Sequence, residues 1–238
     1  MRKDNVIALD GPSGSGKSTV AKMIAHKLGI IYIDTGAMFR AVAYALQHTG
    51  IDFSKPQITD SEEKMIHLFF QSHRFQFAPE PNILIMLDNL NLTDVIREHQ
   101  VSKLASQVSK HKVVRDFLKR WQRDIVKNQP AILDGRDIGT VIFPNAILKV
   151  FLTASANERA LRRYEELKRR EQLGIDYDTI LKDIKERDHE DMTRLIAPLQ
   201  KAQDAIELDS TGKSIPEIVE EVIDLWNQKK KASHEVNS

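Results

Sequence analysis

Val6-Ile7-Ala8-Leu9-Asp10 runs directly into Gly11-Pro12-Ser13-Gly14-Ser15-Gly16-Lys17-Ser18-Thr19. The apolar run reads as a buried parallel strand, the glycines as a tight loop, and residues 19–28 carry the spacing of an amphipathic helix. A loop in that setting turns successive backbone N–H groups inward, and the helix N-terminus adds partial positive charge. Residues 11–19 are therefore expected to cradle a di- or triphosphate. Lys17 would reach the β- and γ-phosphates, and Ser18 would offer its hydroxyl to a Mg²⁺ bridging the same oxygens. A glycine-rich surface loop is the bland alternative, and the order strand, loop, helix tells against it.

The chain has 238 residues, 41% hydrophobic and 29% charged, the proportions of a water-soluble globular protein with a sizeable core. No apolar run approaches bilayer-spanning length, and the first residues run straight into a strand, so a cytoplasmic setting without a signal peptide is expected. With no cysteine, disulfides and thiolate chemistry are excluded, and no pair of the eight histidines has zinc-ligand spacing. His67, His73, His99, His111 and His189 lie among polar residues and read as surface groups. A net charge of +1 speaks against a general nucleic-acid binder, so any basic function must be local.

Working outward, residues 29–36 read as a second strand whose polar end, Asp34-Thr35-Gly36, lies at the edge where ligands collect in open α/β sheets. Residues 37–47 are helical. Arg40 in the first turn runs against the helix dipole, which a phosphate partner would explain and a solvated arginine would not need. A short helix over residues 61–71 leads into apolar runs at 74–77, 83–87 and 92–96, separated by turns, the pattern of a small antiparallel meander. Residues 102–123 read as one long amphipathic helix with Ser106 and Arg115 on its polar side. Ala131-Ile132-Leu133-Asp134 is a third buried strand ending in Gly135-Arg136-Asp137, a site signal or a structural salt bridge. Residues 147–153 and 205–208 supply a fourth and a fifth strand, so five strands alternate with helices as a doubly wound sheet requires.

Between the last two strands lies a basic helical arm with Arg159, Arg163, Arg169, Arg170 and Gly174, able to close over phosphates or simply to present a solvated face. Arg187, Asp191 and Arg194 follow at i, i+4 and i+7 on one helix face. The last helix is placed at 215–228, with a disordered tail over 229–238. A triphosphate cradle, a lysine, a hydroxyl for Mg²⁺ and arginines on separate elements suit phosphoryl transfer, which needs positioning and charge neutralisation more than a covalent nucleophile.

Gly-Pro-Ser-Gly-Ser-Gly-Lys-Ser-Thr at 11–19, Asp34-Thr35-Gly36-Ala37-Met38-Phe39-Arg40, Gly135-Arg136-Asp137-Ile138-Gly139-Thr140-Val141 and Lys185-Glu186-Arg187-Asp188 together resemble bacterial cytidylate kinases, over nearly the whole chain. The resemblance implies a P-loop, three-layer α/β/α fold with a five-stranded parallel sheet, a helical lid and a small three-stranded antiparallel insertion. It implies a single kinase domain over 1–228: core at about 1–34, 125–155 and 195–228, monophosphate-binding region at about 35–124 with the insertion at about 72–98, and lid at about 156–194. The reaction implied is ATP with CMP or dCMP giving ADP with CDP or dCDP, by a monomer with ATP and Mg²⁺ as cofactors and neither nucleic acid nor membrane as partner. By the same resemblance Lys17, Arg136, Arg159 and Arg163 are catalytic. Arg40 and Arg136 would hold the CMP phosphate with Thr35 near it, and Arg194 would join them. Ser106, Arg115 and Asp191 would read cytosine, Asp137 and Arg187 the sugar hydroxyls, and Arg159 with Arg163 would close on ATP. Ser18 would bind the metal, with Asp134 reaching it only through water. Phe39 stands where the family commonly carries tyrosine, so a ring can pack on the nucleotide but the hydroxyl is lost. A kinase for another small acceptor, such as UMP or shikimate, is the nearest rival. A nucleotide-operated switch would need a guanine-reading Asn-Lys-x-Asp segment, which the chain lacks.

Overall fold

A computed structural model describes residues 4–80, 82–127, 129–169 and 176–235. In chain order the strands are β1 (Asp4–Asp10), β2 (Ile31–Asp34), β3 (Phe75–Glu80), β4 (Ile83–Leu87), β5 (Leu90–Asn91), β6 (Ala131–Gly135), β7 (Ala146–Thr153) and β8 (Ile206–Asp209). The helices are α1 (Lys17–Leu28), α2 (Thr35–Leu46), α3 (Asp60–Ser72), α4 (His99–Val108), α5 (Lys112–Val126), α6 (Ala156–Arg169), α7 (Tyr177–Thr193) and α8 (Ile215–Glu235). They form two compact units, Met1–Ile33 with Asn128–Ser238, and Asp34–Lys127.

The first unit holds the parallel sheet, ordered β2-β6-β1-β7-β8. Val6, Ile7, Ala8 and Leu9 have no exposed surface at all, because β1 sits mid-sheet with β6 on one side and β7 on the other. An unbroken apolar run is what such a position demands, since neither face of the strand meets water. Ile7 and Leu9 share a core with Val20 and Ile24 of α1 and with Val219, Val222 and Trp226 of α8. Parallel register fixes the functional edge: Asp10 lies beside Gly135 and Phe151, so the loops after β1, β6 and β7 leave the sheet together. The expected α/β fold is borne out.

Four expectations need correction. The last helix does not stop at 228; it continues to Glu235, and residues 229–235, expected in a disordered tail, are helical. Lys230 lays its ammonium 5.2 Å from the centre of the Trp226 ring, a contact one helical turn makes possible. The single helix expected over 102–123 is two, because the chain breaks at Ser109–His111. His111 is buried rather than on the surface, its Nε2 3.2 Å from the Phe53 carbonyl and its ring edge-on to Phe53. In the meander, the third strand is only β5, and residues 95–97 form a short helical turn. There Thr93 Oγ1 accepts the Leu84 N–H at 2.8 Å, so a side chain takes the place of the next ladder bond. Arg170 and Gly174 of the basic arm lie outside the described residues.

The second unit packs α2 against α4, with β3, β4 and β5 in an antiparallel sheet. Rings from α3, β3 and α5 gather there, with Phe70 and Phe117 stacked at 3.9 Å. They border a cavity of about 410 Å³ that contains none of the predicted substrate-binding residues.

Candidate phosphoryl-transfer site

The loop after β1 is shaped by what has no side chain. A Cβ on Gly11 would lie 2.1 Å from the Leu152 carbonyl oxygen, and its φ of +150° is one that other residues rarely adopt. Lys17, only 5% exposed, donates from Nζ to the Pro12 carbonyl at 2.6 Å and to Ser15 Oγ at 3.2 Å, curling over the loop it follows. Burial pushes its ammonium well below the usual lysine range, the Arg136 charge adds to this, and Asp134 and Asp10 oppose it. Ser18 donates to one Asp134 oxygen at 2.7 Å and Tyr32 to the other at 3.0 Å. A hydroxyl beside a carboxylate is an oxygen donor set suited to a hard cation. Among the described residues no cluster of three or more His, Cys, Asp or Glu side chains could hold a metal, so phosphate oxygens would have to complete the shell.

Asp10 closes the end of β1. Its carboxylate accepts the backbone N–H groups of Ile138 at 2.8 Å and Gly139 at 2.7 Å, pinning a wide helical turn over Ile138–Ile142 that directly follows Arg136 and Asp137. A Cβ on Gly139 would lie 3.1 Å from Lys149 Cδ and 3.3 Å from Asp10 Oδ2, a tight fit. Burial pushes the Asp10 carboxyl up to about 7, with the Asp137 charge adding and the two N–H bonds and Lys17 opposing. A folded pKa above the unfolded one means the native state holds the proton more tightly. The associated stability is complete below about pH 3.8 and is lost as pH rises towards 7. That slope amounts to about 4 kcal/mol. In urea unfolding from pH 4 to 8, Asp10→Asn should lose this slope relative to the parent; equal slopes for both proteins would refute the assignment.

Beyond that turn the arginines are held by carboxylates. Arg136 Nε donates to Asp191 Oδ2 at 2.7 Å, and Arg194 lies with Nη1 3.5 Å from Asp191 Oδ1 and Nη2 3.8 Å from Asp137 Oδ1. Burial alone would push the Asp191 carboxyl up, but Arg136, Arg194 and Arg187 together outweigh it and hold it below the ordinary value. The structure thus gathers Arg136, Asp137, Arg187, Asp191 and Arg194 into one charge network. The basic arm divides. Arg159 is buried, bonded to the Ser13 and Ala154 carbonyls and to both oxygens of Asp188. Arg163 faces solvent and pairs with Glu166 at 2.8 Å on its own helix.

In the second unit, Asp34 caps α2 by accepting the Ala37 N–H at 2.8 Å. Its other oxygen lies 3.5 Å from Arg40 Nη2; because α2 starts at Thr35, Arg40 lies in the second turn and not in the expected first, with its acidic partner at the N-cap. Thr35 is buried beside it. Arg115 is buried, with its guanidinium 5.3 Å from the centre of the Phe39 ring and Nη1 donating to the Ser109 carbonyl at 3.1 Å. Ser106 is half-buried in α4, its carbonyl accepting Ser109 Oγ at 2.8 Å.

Residues 7–228 match the family model for cytidylate kinase. The chain belongs to the cytidylate kinase family. It is 48% identical over 219 residues to a cytidylate kinase of Alkaliphilus oremlandii (strain OhILAs), covering 92% of this chain and 96% of that one. It is 44% identical over 230 residues to a bifunctional pantoate ligase/cytidylate kinase of Prochlorococcus marinus (strain MIT 9215), where it covers 96% of this chain and spans 44% of the relative's length. Among solved structures, an uncharacterized protein from Eubacterium ventriosum ATCC 27560 shares the fold, with a TM-score of 0.50 at 13% identity over 93% of this chain and 98% of that one.

Several side chains at this candidate site escape a reading of the sequence. Asp10 looks like the end of a strand and Tyr32 like part of an apolar run, while Asp188 stands in the Lys185-Glu186-Arg187-Asp188 motif without a role of its own. The signal for Asp10 is its charge at the end of an otherwise apolar strand, a position that demands a partner once the sheet is built. Asp34, immediately before α2 and three residues before the Ala37 N–H it accepts, has the spacing of an N-cap.

Proposed function

We propose that this chain transfers the γ-phosphoryl group of ATP to CMP or dCMP, giving ADP and CDP or dCDP. The observation that carries the reading is the match to cytidylate kinases along residues 7–228, joined to a cradle whose Lys17 is drawn into the loop. In this reading the backbone N–H groups of residues 11–19 and Lys17 bind the β- and γ-phosphates of ATP. Arg136, Arg194 and Arg40 neutralise charge on the acceptor phosphate, with Thr35 near it. Ser106, Arg115 and Asp191 read the base; a carboxylate acceptor suits the exocyclic amine of cytosine and not the carbonyl of uracil. Asp137 and Arg187 take the sugar hydroxyls, and Phe39 offers the nucleotide a ring face. Arg159 and Arg163 belong to the ATP side. Mg²⁺ bound at Ser18, with Asp134 behind it, would neutralise the phosphate oxygens.

No described helix is long and apolar enough to cross a membrane. The proposed setting is a cytoplasmic monomer that binds nucleotides and neither nucleic acid nor membrane, which the net charge of +1 supports. The test is a coupled ADP-release assay with ATP and Mg²⁺, offering CMP, dCMP, UMP and AMP at one subsaturating concentration. CMP and dCMP should turn over far faster than UMP and AMP; turnover with none of the four would sink the assignment.

A further inference from the structure

Arg159 is the point where the helical arm touches the phosphate loop, and its hydrogen bonds can be counted. A guanidinium has five N–H donors. Nε donates to the Ala154 carbonyl at 2.9 Å, Nη1 to the Ser13 carbonyl at 2.9 Å and to Asp188 Oδ1 at 3.1 Å, and Nη2 to Asp188 Oδ2 at 2.6 Å. Those four bonds leave one Nη2–H. The stem is equally confined: a Cβ on Gly14 would lie 3.2 Å from the Arg159 Cβ, so the loop rests directly on this residue.

Two of the three holding groups are backbone carbonyls, of Ala154 just before α6 and of Ser13 in the loop. Arg162, one residue short of a full turn further along α6, donates to Ser210 Oγ at 3.1 Å and to the Ser210 carbonyl at 2.7 Å, and Ser210 Oγ lies 3.3 Å from the Ser15 carbonyl. So α6 is joined to the loop directly at Ser13 through Arg159, while Ser210 shares its single hydroxyl proton between the Thr153 carbonyl at 2.9 Å and that of Ser15 at 3.3 Å. Asp188 is different. It sits on α7, 29 residues further along the chain, and supplies the charged fork that sets the plane of the guanidinium. Fork-to-fork pairing fixes orientation as well as distance, because both oxygens must face both nitrogens.

We propose that Asp188 is a positioning residue for ATP. Its carboxylate fixes the orientation of Arg159, whose Nη1 bonds the phosphate loop at Ser13, and α7 thereby helps set how tightly ATP is held. The proposal rests on the reading of Arg159 as an ATP-side arginine. Asp188 itself touches no substrate in this account; it acts through Arg159.

The test is steady-state kinetics of Asp188→Asn, Arg159→Lys and the double variant, with the KM for ATP and for CMP measured separately. Asn keeps the size of Asp but offers one oxygen and a competing NH₂, so the fork is lost while the packing of Ala160, Leu167, Ile180 and Ile184 between α6 and α7 is untouched. Asp188→Asn should raise the KM for ATP about tenfold and leave the KM for CMP within about twofold, with Asp188→Glu recovering part of the loss. The double variant should be no worse than Arg159→Lys alone, since both changes remove one arrangement. An unchanged or lowered KM for ATP in Asp188→Asn, an equal rise for both substrates, or additive losses in the double variant would overturn the proposal. If Arg159→Lys alone leaves ATP binding intact, the fault lies with the reading of Arg159 itself.

Discussion

Gly11→Ala is expected to cost the protein at least about 3 kcal/mol of stability and to remove measurable ATP binding. The reason is geometric. The new methyl would sit 2.1 Å from the Leu152 carbonyl oxygen, with the Leu152 backbone carbon and nitrogen also within 3.3 Å. No flexible side chain can move aside, because every one of those atoms is backbone. Neither partner can retreat: Leu152 is fully buried in β7, and β7 is tied to β1 by register that places Phe151 beside Asp10. Either the loop lifts from the sheet, which disperses the N–H groups of the cradle, or the two strands part, which opens the core. Gly29→Ala is the control. Its φ of +63° also disfavours a side chain, but nothing lies within 4 Å of the added Cβ, so the cost should stay near about 1 kcal/mol with ATP binding intact. Thermal unfolding and nucleotide titration of the two variants separate the effects, and a Gly11→Ala protein that melts like its parent would refute the steric argument.

The contrast between those glycines marks what the sequence makes legible. A buried strand, a loop that needs glycine and a helix of period 3.6 are local patterns, so the β1-loop-α1 stretch and the five-strand alternation can be read directly. What depends on a distant partner cannot. The break between α4 and α5 comes from His111 finding the carbonyl of Phe53, 58 residues earlier, and nothing near His111 announces it. The lysine run after Trp226 reads as a solvated tail, yet charged side chains with long aliphatic stems also extend helices, and α8 shows them doing so. At the site, residue types were legible and pairings were not. Arg40, read from the sequence as lying in a first helical turn, called for an anion; the sequence suggested phosphate, and the structure adds Asp34, six residues before it. Arg159 and Arg163 look equivalent in a basic run, but only Arg159 turns inward, because its place on α6 meets the loop.

Asp191→Ala should be the most damaging change at a single charged residue. Asp191 accepts from Arg136 Nε at 2.7 Å and lies 3.5 Å from Arg194 Nη1, and its side chain is 15% exposed. Burial works against its charge, and the three arginines around it overcome that, so it stays ionised down to lower pH than an ordinary aspartate. A depressed folded pKa gives stability that is fully present above about pH 3.8 and is lost as pH falls through the folded value. Removing the carboxylate leaves Arg136 and Arg194 in a poorly hydrated setting with less negative charge to balance them, at a cost of about 3 kcal/mol or more. For a chain of this size that corresponds to a melting temperature lowered by on the order of 10 °C at neutral pH. The gap between parent and variant should narrow as pH falls through the lowered value, where the parent also loses this charge. Kinetically, the same substitution should erase most of the preference for CMP over UMP, since the group proposed to accept from the cytosine amine is gone. Asp191→Asn keeps one oxygen for Arg136 and should fall between the two. An Asp191→Ala protein with the parent melting temperature would show that the arginines balance their charge elsewhere, and one that still discriminates CMP from UMP would move base recognition to Ser106 and Arg115.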